Sequence, residues 1–235
     1  MRNTIKMNEI FHPQIPKTAL NKNSEYYKEF VSAIKFSKKT NLTIDNDKHK
    51  EEISQSEIIK LKSELTKSLS GYIDSFSQKH PNETLEKFSL DCVNLSVSIL
   101  NFINENYPTI PANITIGEIS YLNKKRFITK REDFSKNPLL HQNEKFKHHA
   151  WITLGKNYIL DAAIGTAINC IFSQELSNIG NHRLYGGLVH GIEGSFLSEA
   201  IDKSHWLPRD LESLKYQPVI VGLEAIHKYA PKNLQ

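Results

Sequence analysis

The chain has 235 residues, of which 39% are hydrophobic and 9% aromatic, enough to build a core of ordinary size. Its formal net charge is +4, from 30 basic and 26 acidic residues, and the lysines are scattered. No dense Lys/Arg stripe with interleaved aromatic residues occurs, and no stretch approaches about 18 consecutive apolar residues. Neither nucleic acid nor a membrane is therefore expected as a partner.

Cysteine usage and the first residues bear on the cellular compartment. The only cysteines are Cys92 and Cys170, too few for a disulfide scaffold in a chain of this length, so a reducing compartment is expected. Residues 1–17 lack the apolar segment of a secretory signal. We expect a soluble protein that is cytoplasmic or exported by a route independent of a signal peptide.

The N-terminal third of the sequence predicts an arm followed by helices. Residues 1–23 are polar, contain two prolines and show no hydrophobic period, which predicts a flexible arm. Residues 24–36 and 51–79 carry apolar side chains at helical spacing, and a His-Pro pair ends the second pattern. These patterns predict a helical extension over 24–83 and a main domain over 84–235.

The main domain begins with a helix and continues with strands. The segment from Cys92 to Pro108 is apolar around most of its circumference, which predicts a buried helix that begins at Cys92. Residues 112–121 alternate apolar and polar around a glycine, which predicts a strand with a bulge. HHAWITL and YILDAAIG, joined by Gly-Lys-Asn, predict a β-hairpin. The remaining predicted elements are one strand and two short helices, at 218–223, 195–203 and 208–214. This order predicts the α+β class.

The chemistry starts at Cys92. At the N-terminus of a helix, unpaired N–H groups and the positive end of the macrodipole favour a thiolate. The same N–H groups can stabilise an oxyanion, and Asn94 in the same turn or an upstream side chain is a candidate to assist. Cys92 is therefore a candidate nucleophile.

The hairpin supplies a base and a group that orients it. A turn at 155–157 places His149 within one or two residues of direct opposition to Asp161, where side chains on one face are in contact range. The carboxylate is then able to orient the imidazole toward a nucleophile. His148 is the rival base, but strand alternation directs it to the opposite face, so His149 is preferred.

A Cys at the head of a buried helix, H-A-W on a strand and D-A after a turn resemble the core of transglutaminase-like and papain-like cysteine enzymes, over about residues 84–166. The resemblance implies a papain-like catalytic domain over 84–235, in which the nucleophile-bearing helix packs on an antiparallel sheet. It implies that Cys92 is the nucleophile, His149 the base and Asp161 the orienting acid. The implied activity is hydrolysis or acyl transfer at a carboxamide of a peptide or a Gln/Asn side chain. It implies a protein or peptide substrate and no cofactor. The residues that flank Cys92 lack the Gly-Cys signature of that family, and no oxyanion Gln precedes it.

Other roles remain open at the level of sequence. Candidate substrate contacts are Asn94, Trp151, Gly186 and Gly187, the last two in a Gly-rich segment suited to close backbone approach. One alternative is a non-catalytic interaction module with a degenerate papain-like core. Another is a zinc protein, for which the available ligand types are His141, His148, His149, Asp161 and Cys92. No Cys-x₂-Cys or His-x₃-His spacing occurs, so no metal is expected.

Overall fold

The computed structural model describes residues 25–79, 91–121, 124–135, 148–156, 158–164, 167, 188–191, 196–198 and 214–229. Its helices are α1 (Glu25–Lys39), α2 (Gln55–Lys79), α3 (Cys92–Asn106), α4 (Arg131–Ser135) and α5 (Leu223–Tyr229). Its strands are β1 (Ala112–Tyr121), β2 (Lys124–Phe127), β3 (His149–Leu154), β4 (Tyr158–Asp161), β5 (Leu188–Gly191), β6 (Phe196–Ser198) and β7 (Lys215–Val221). The predicted arm over 1–23 lies outside these residues.

The strands form one sheet in which every observed pair is antiparallel. Strands β1, β3, β4, β5 and β6 follow one another as neighbours, and β7 lies on the other edge of β1. Strand β2 pairs with the last residues of β1, beyond the point where β3 begins, so β2 and β3 lie end to end along the same edge of β1. Helices combined with an antiparallel sheet confirm the α+β class.

Local sequence signals account for the central strands. Strand β1 forms as predicted, but the bulge lies in its partner: the register shifts between Ile116 and Gly117 because Val219 is an extra residue in β7. Strands β3 and β4 form the predicted hairpin, with Leu154 opposite Tyr158. Gly155 adopts a φ of +52° in its turn, in the left-handed region that glycine adopts without steric cost.

The predicted helix over 195–203 is wrong where it can be checked. Residues Phe196–Ser198 form β6, which pairs with β5. Pairing with an existing strand edge outweighs a weak local helical pattern in so short a segment. The second short helix, predicted over 208–214, lies almost wholly outside the described residues.

Each face of the sheet is covered by helices. Helices α2, α3 and α5 contribute buried residues to one apolar cluster, which contains Ile114, Ile152 and Leu160 of the sheet. Helix α1 packs on β7 and contributes to a second cluster, which contains Trp151 and Tyr216. Both N-terminal helices therefore share their core with the sheet, because the sheet has apolar residues on both faces. In the described part of the chain, no helix is long and apolar enough to cross a membrane.

The connection between α1 and α2 is held by polar contacts. Asp45 accepts hydrogen bonds from the backbone N–H of Ile114 in β1 (2.8 Å) and of Leu223 at the start of α5 (2.7 Å). Helix α2 starts with a capping box, in which Ser54 and Glu57 exchange side-chain-to-backbone hydrogen bonds of 3.0 and 3.3 Å. These contacts fix both helices against the sheet.

Candidate active site

The hairpin of β3 and β4 brings His149 and Asp161 into contact. Its register, with Ile152 opposite Leu160, directs both side chains to the face covered by α1. His149 Nε2 lies 2.6 Å from Asp161 Oδ2, and the two side chains are 0% and 1% exposed. The contact follows from the turn position, as the sequence predicts. It occupies one of the two imidazole nitrogens.

The Asp161 carboxylate accepts four hydrogen bonds. Oδ1 accepts from the backbone N–H of Ala163 (3.1 Å) and of Ile164 (3.0 Å), which follow it in the chain. Oδ2 accepts from His149 and from the hydroxyl of Tyr216 in β7 (3.0 Å). A buried carboxylate costs free energy unless its oxygens are paired, and here both are. The orientation of the acid is therefore fixed.

Two aromatic rings enclose the His149 imidazole. The Phe127 ring centroid lies 4.8 Å from that of His149, and the Trp151 centroid lies at 6.2 Å with its plane tilted by 25°. Trp151 is fully buried and donates from Nε1 to the Tyr26 hydroxyl (2.8 Å). The indole, a candidate substrate contact from sequence, therefore packs against His149 in the interior.

Gly117 makes room for that indole. It pairs with His149 across β1 and β3. A Cβ at this position would lie 2.8 Å from Trp151 Cη2 and closer still to the backbone carbonyl of Gln217. The missing side chain at Gly117 therefore allows the tryptophan of β3 to pack over the neighbouring strand β1.

The charge state of His149 is set by its neighbours. Burial alone would lower the pKa of His149, but the Asp161 charge and, after it, the Cys92 sulfur outweigh burial and raise that pKa to about 10. The imidazolium form is thus favoured at neutral pH, with the Asp161 carboxylate as its counterion.

Cys92 is the first residue of α3, as predicted, and lies beside the imidazole. Its side chain is 3% exposed. The thiol is directed at the backbone carbonyl of His148, with an S···O distance of 3.8 Å. His149 Nδ1 has no hydrogen-bond partner among the described residues, although the Cys92 sulfur is close enough to raise the pKa of the ring. The thiol therefore lies next to a buried imidazole, one of whose nitrogens makes no hydrogen bond within the described residues.

The first turn of α3 presents backbone N–H groups near this sulfur. Asp91 occupies the N-cap position without capping the helix through its side chain. Its carboxylate instead accepts from Nδ2 of Asn94 (2.6 Å), an exposed side chain on the first turn. The amides of this turn are thus left without a side-chain cap, which is the arrangement found where a helix N-terminus binds an anion.

His148 is separate from this pair. Its Nδ1 lies 2.8 Å from Thr129 Oγ1, and its ring packs against Phe134 with centroids 5.1 Å apart. Phe134 belongs to the apolar cluster on the other face of the sheet, which confirms the predicted opposite orientation of the two histidines.

Several candidates from the sequence lie beyond the described residues, namely Gly186, Gly187, His141 and Cys170. Within the described ranges, no group of three or more His, Cys, Asp and Glu side chains is arranged to hold a metal ion. Sequence reasoning missed Tyr216 and Phe127. Strand β7 could be predicted, but its pairing with β1 has no local signal.

Comparisons with known proteins add no assignment. No family model, curated protein or solved structure matches this chain.

Proposed function

We propose that this chain is a thiol-dependent hydrolase or acyl-transfer enzyme that acts on a carboxamide, with a papain-like catalytic core. One observation carries the proposal: Asp161 holds the buried His149 through Nε2, and the Cys92 sulfur is close enough to the same imidazole to raise its pKa. A nucleophile, a base and a group that orients the base are the parts that covalent catalysis needs.

The reaction starts from a thiolate on Cys92 beside an imidazolium on His149. The sulfur attacks the carbonyl carbon, and the electron pair of the C=O bond moves to the oxygen, which faces the backbone N–H groups at the start of α3. When the C–N bond breaks, Nδ1 of His149 gives its proton to the leaving nitrogen. A thioester on Cys92 remains, and the amine or ammonia departs.

The second half of the reaction reverses the proton movement. His149 Nδ1, now neutral, removes a proton from water or from an acceptor amine as that nucleophile attacks the thioester. The C–S bond breaks and the thiolate returns, with the proton on the imidazole. Asp161 holds Nε2 throughout, so Nδ1 is the nitrogen that transfers the proton.

Protein or peptide carboxamides are the proposed substrate class. Peptide hydrolysis, deamidation, transglutamination and acyl transfer use the same steps and differ in the leaving group and the acceptor. We favour hydrolysis or deamidation, in which water resolves the thioester. Incubation with Gln-containing peptide pools separates these reactions, because mass spectrometry distinguishes cleavage, loss of ammonia and addition of an amine.

A non-catalytic module with the same core is the competing function. The observation in its favour is the burial of Cys92, which is 3% exposed. Free cysteines are often buried as inert structural residues. This reading predicts a thiol that reacts slowly at every pH.

Labelling with iodoacetamide separates the two functions. The native protein is treated at neutral pH, and mass spectrometry resolves Cys92 from Cys170; the Cys170 rate in denatured protein serves as the reference. Catalysis predicts faster labelling of Cys92 than this reference, because a nucleophile that its base activates reacts faster than a thiol in an unfolded chain. The Cys92→Ser variant confirms the assignment of the label. Labelling of native Cys92 no faster than the reference would exclude the proposed nucleophile.

A further inference from the structure

Behind the acid of this site lies a buried tyrosine from a distant part of the chain. Tyr216 is in β7, 55 residues after Asp161, and its hydroxyl lies 3.0 Å from Asp161 Oδ2. The same oxygen accepts from His149 Nε2 at 2.6 Å. Tyr216 and His149 thus share one carboxylate oxygen.

The position of Tyr216 is fixed by the sheet. It pairs with Ile119 of β1, and its ring meets the edge of the Trp151 indole with centroids 5.0 Å apart. Trp151 also packs against His149. Tyr216 therefore makes two contacts at the site. Its hydroxyl contacts Asp161, and its ring contacts Trp151, which packs on His149.

The Tyr216 hydroxyl is suited to donate a hydrogen bond to Asp161 at every pH at which an enzyme works. Burial and the negative charge of Asp161 raise the pKa of Tyr216 well above 10. The hydroxyl therefore keeps its proton over the working range of an enzyme, and its oxygen is not a competing base. A carboxylate oxygen has room for two donors, and Tyr216 with His149 occupies both positions.

We infer that Tyr216 is a positioning residue of the Cys92–His149–Asp161 site, in which its hydroxyl holds Oδ2 of Asp161 toward the imidazole. Only the effect expected on the reaction rate of Cys92 rests on the proposed function; the effect expected on the His149 imidazole does not. Removal of the hydroxyl leaves Oδ2 with a single donor, so the imidazole loses part of its fixed orientation. Catalytic geometry depends on such supporting contacts, since a small displacement of the base weakens proton transfer.

The titratable groups that surround the imidazole are few among the described residues. Asp161 contacts it from β4, Cys92 from α3, and Tyr216 acts through Asp161 from β7. Tyr26 of α1 accepts a hydrogen bond from Trp151 and interacts electrostatically with Asp161 and Tyr216. A change in the His149 titration on altering Tyr216 therefore reports on the shared carboxylate.

Tyr216→Phe is the test, with Tyr229→Phe as its matched control, because Tyr229 is also buried but lies in the other apolar cluster. Two quantities are measured on the full chain: the ¹H and ¹⁵N NMR shifts of the His149 imidazole across pH, and the iodoacetamide rate at Cys92. Tyr216→Phe is expected to shift the imidazole resonances and their titration midpoint, and to lower the rate about threefold to tenfold. Tyr229→Phe is expected to change neither.

The outcomes separate the inference from the proposed function. A wild-type Cys92 that labels slowly contradicts the proposed function, and the imidazole shifts then decide the role of Tyr216 alone. Imidazole signals in Tyr216→Phe that coincide with those of Tyr229→Phe overturn the inference. If Tyr216→Phe does not fold, wild-type protein labelled with 3-fluorotyrosine replaces it: the Tyr216 fluorine resonance is expected to move as His149 titrates, and a constant resonance would overturn the inference.

Discussion

The two faces of the sheet are both buried, but they are built from different chemistry. Along β3, Ala150, Ile152 and Leu154 point to the cluster formed with α2, α3 and α5. The residues between them, Trp151 and Thr153, point with His149 to the face covered by α1. Strand alternation therefore separates an apolar face of β3 from a second face, called the polar face below, on which polar groups lie among the apolar residues of the second cluster.

The polar face carries two groups of hydrogen-bonded side chains that meet through ring packing. Thr153 Oγ1 lies 2.7 Å from Thr115 Oγ1 and 2.5 Å from the Tyr26 hydroxyl, which accepts from Trp151. Trp151 then packs against His149. Among the side chains of these two groups, the polar atom left without a partner is His149 Nδ1. The apolar face thus contributes packing to the fold, whereas the polar face contains a buried ring nitrogen, His149 Nδ1, without a hydrogen-bond partner.

The largest expected effect comes from Asp161→Asn. The substitution removes the charge that keeps His149 protonated and turned toward Cys92. We expect the iodoacetamide rate at Cys92 at pH 7 to fall by about tenfold to 30-fold, because a thiol without an activating base is only a few per cent thiolate at that pH. Mass spectrometry of the labelled protein measures the rate, and circular dichroism confirms the fold. A variant that folds and labels at the wild-type rate would break the link between the polar face and the thiol.

A substitution on the apolar face should lower stability and leave the labelling rate of Cys92 unchanged. Ile152→Ala removes a fully buried side chain and should lower the free energy of unfolding by about 2–5 kcal/mol. The iodoacetamide rate of the folded fraction should stay close to the wild-type value. Urea unfolding and labelling on the same preparation check both parts.

Thr153 follows Ile152 in β3 and points to the polar face. Thr153→Val is therefore the matched control for Ile152→Ala. It preserves volume but removes the hydrogen bonds to Thr115 and Tyr26, so a loss of about 1–3 kcal/mol is expected. Equal effects of both variants on stability and on labelling would remove the distinction between the faces.

His149 also contributes a pH dependence to the free energy of unfolding. Its pKa is raised from 6.5 to about 10 in the folded protein, so the folded state holds a proton that the unfolded state releases. The stabilisation is complete below about pH 6.5 and is lost as the pH rises toward about 10. Urea unfolding across this range should show wild-type stability decreasing, and His149→Asn should flatten the decrease. A wild-type stability that rises between these pH values would contradict the assigned charge state.

Local signals were enough to predict half of the site. The Gly-Lys-Asn turn fixes the register of β3 and β4, so contact between His149 and Asp161 could be predicted. The start of α3 at Cys92 follows from the apolar run after it. Tyr216 could not be predicted, because β7 reaches the site through pairing with β1 across a long stretch of chain. Phe127 follows β1 closely in sequence, but its contact with His149 depends on where β3 pairs with β1. The incorrect helix over 195–203 has another origin, since β6 forms through pairing with the nearby β5, which a local helical pattern does not reveal.

The pH–rate profile of Cys92 alkylation, in the wild type and in His149→Asn, tests whether the His149 imidazole activates the Cys92 thiol. If His149 and Asp161 serve the thiol, the wild-type rate is already high below pH 7, and His149→Asn lowers it to the profile of an ordinary thiol, which rises near about pH 8.5. The native-state rate at Cys92 in the variant should then match that of a buried, unactivated cysteine. Coincident profiles for the two proteins would contradict the account, because the imidazole beside Cys92 would then have no influence on the sulfur.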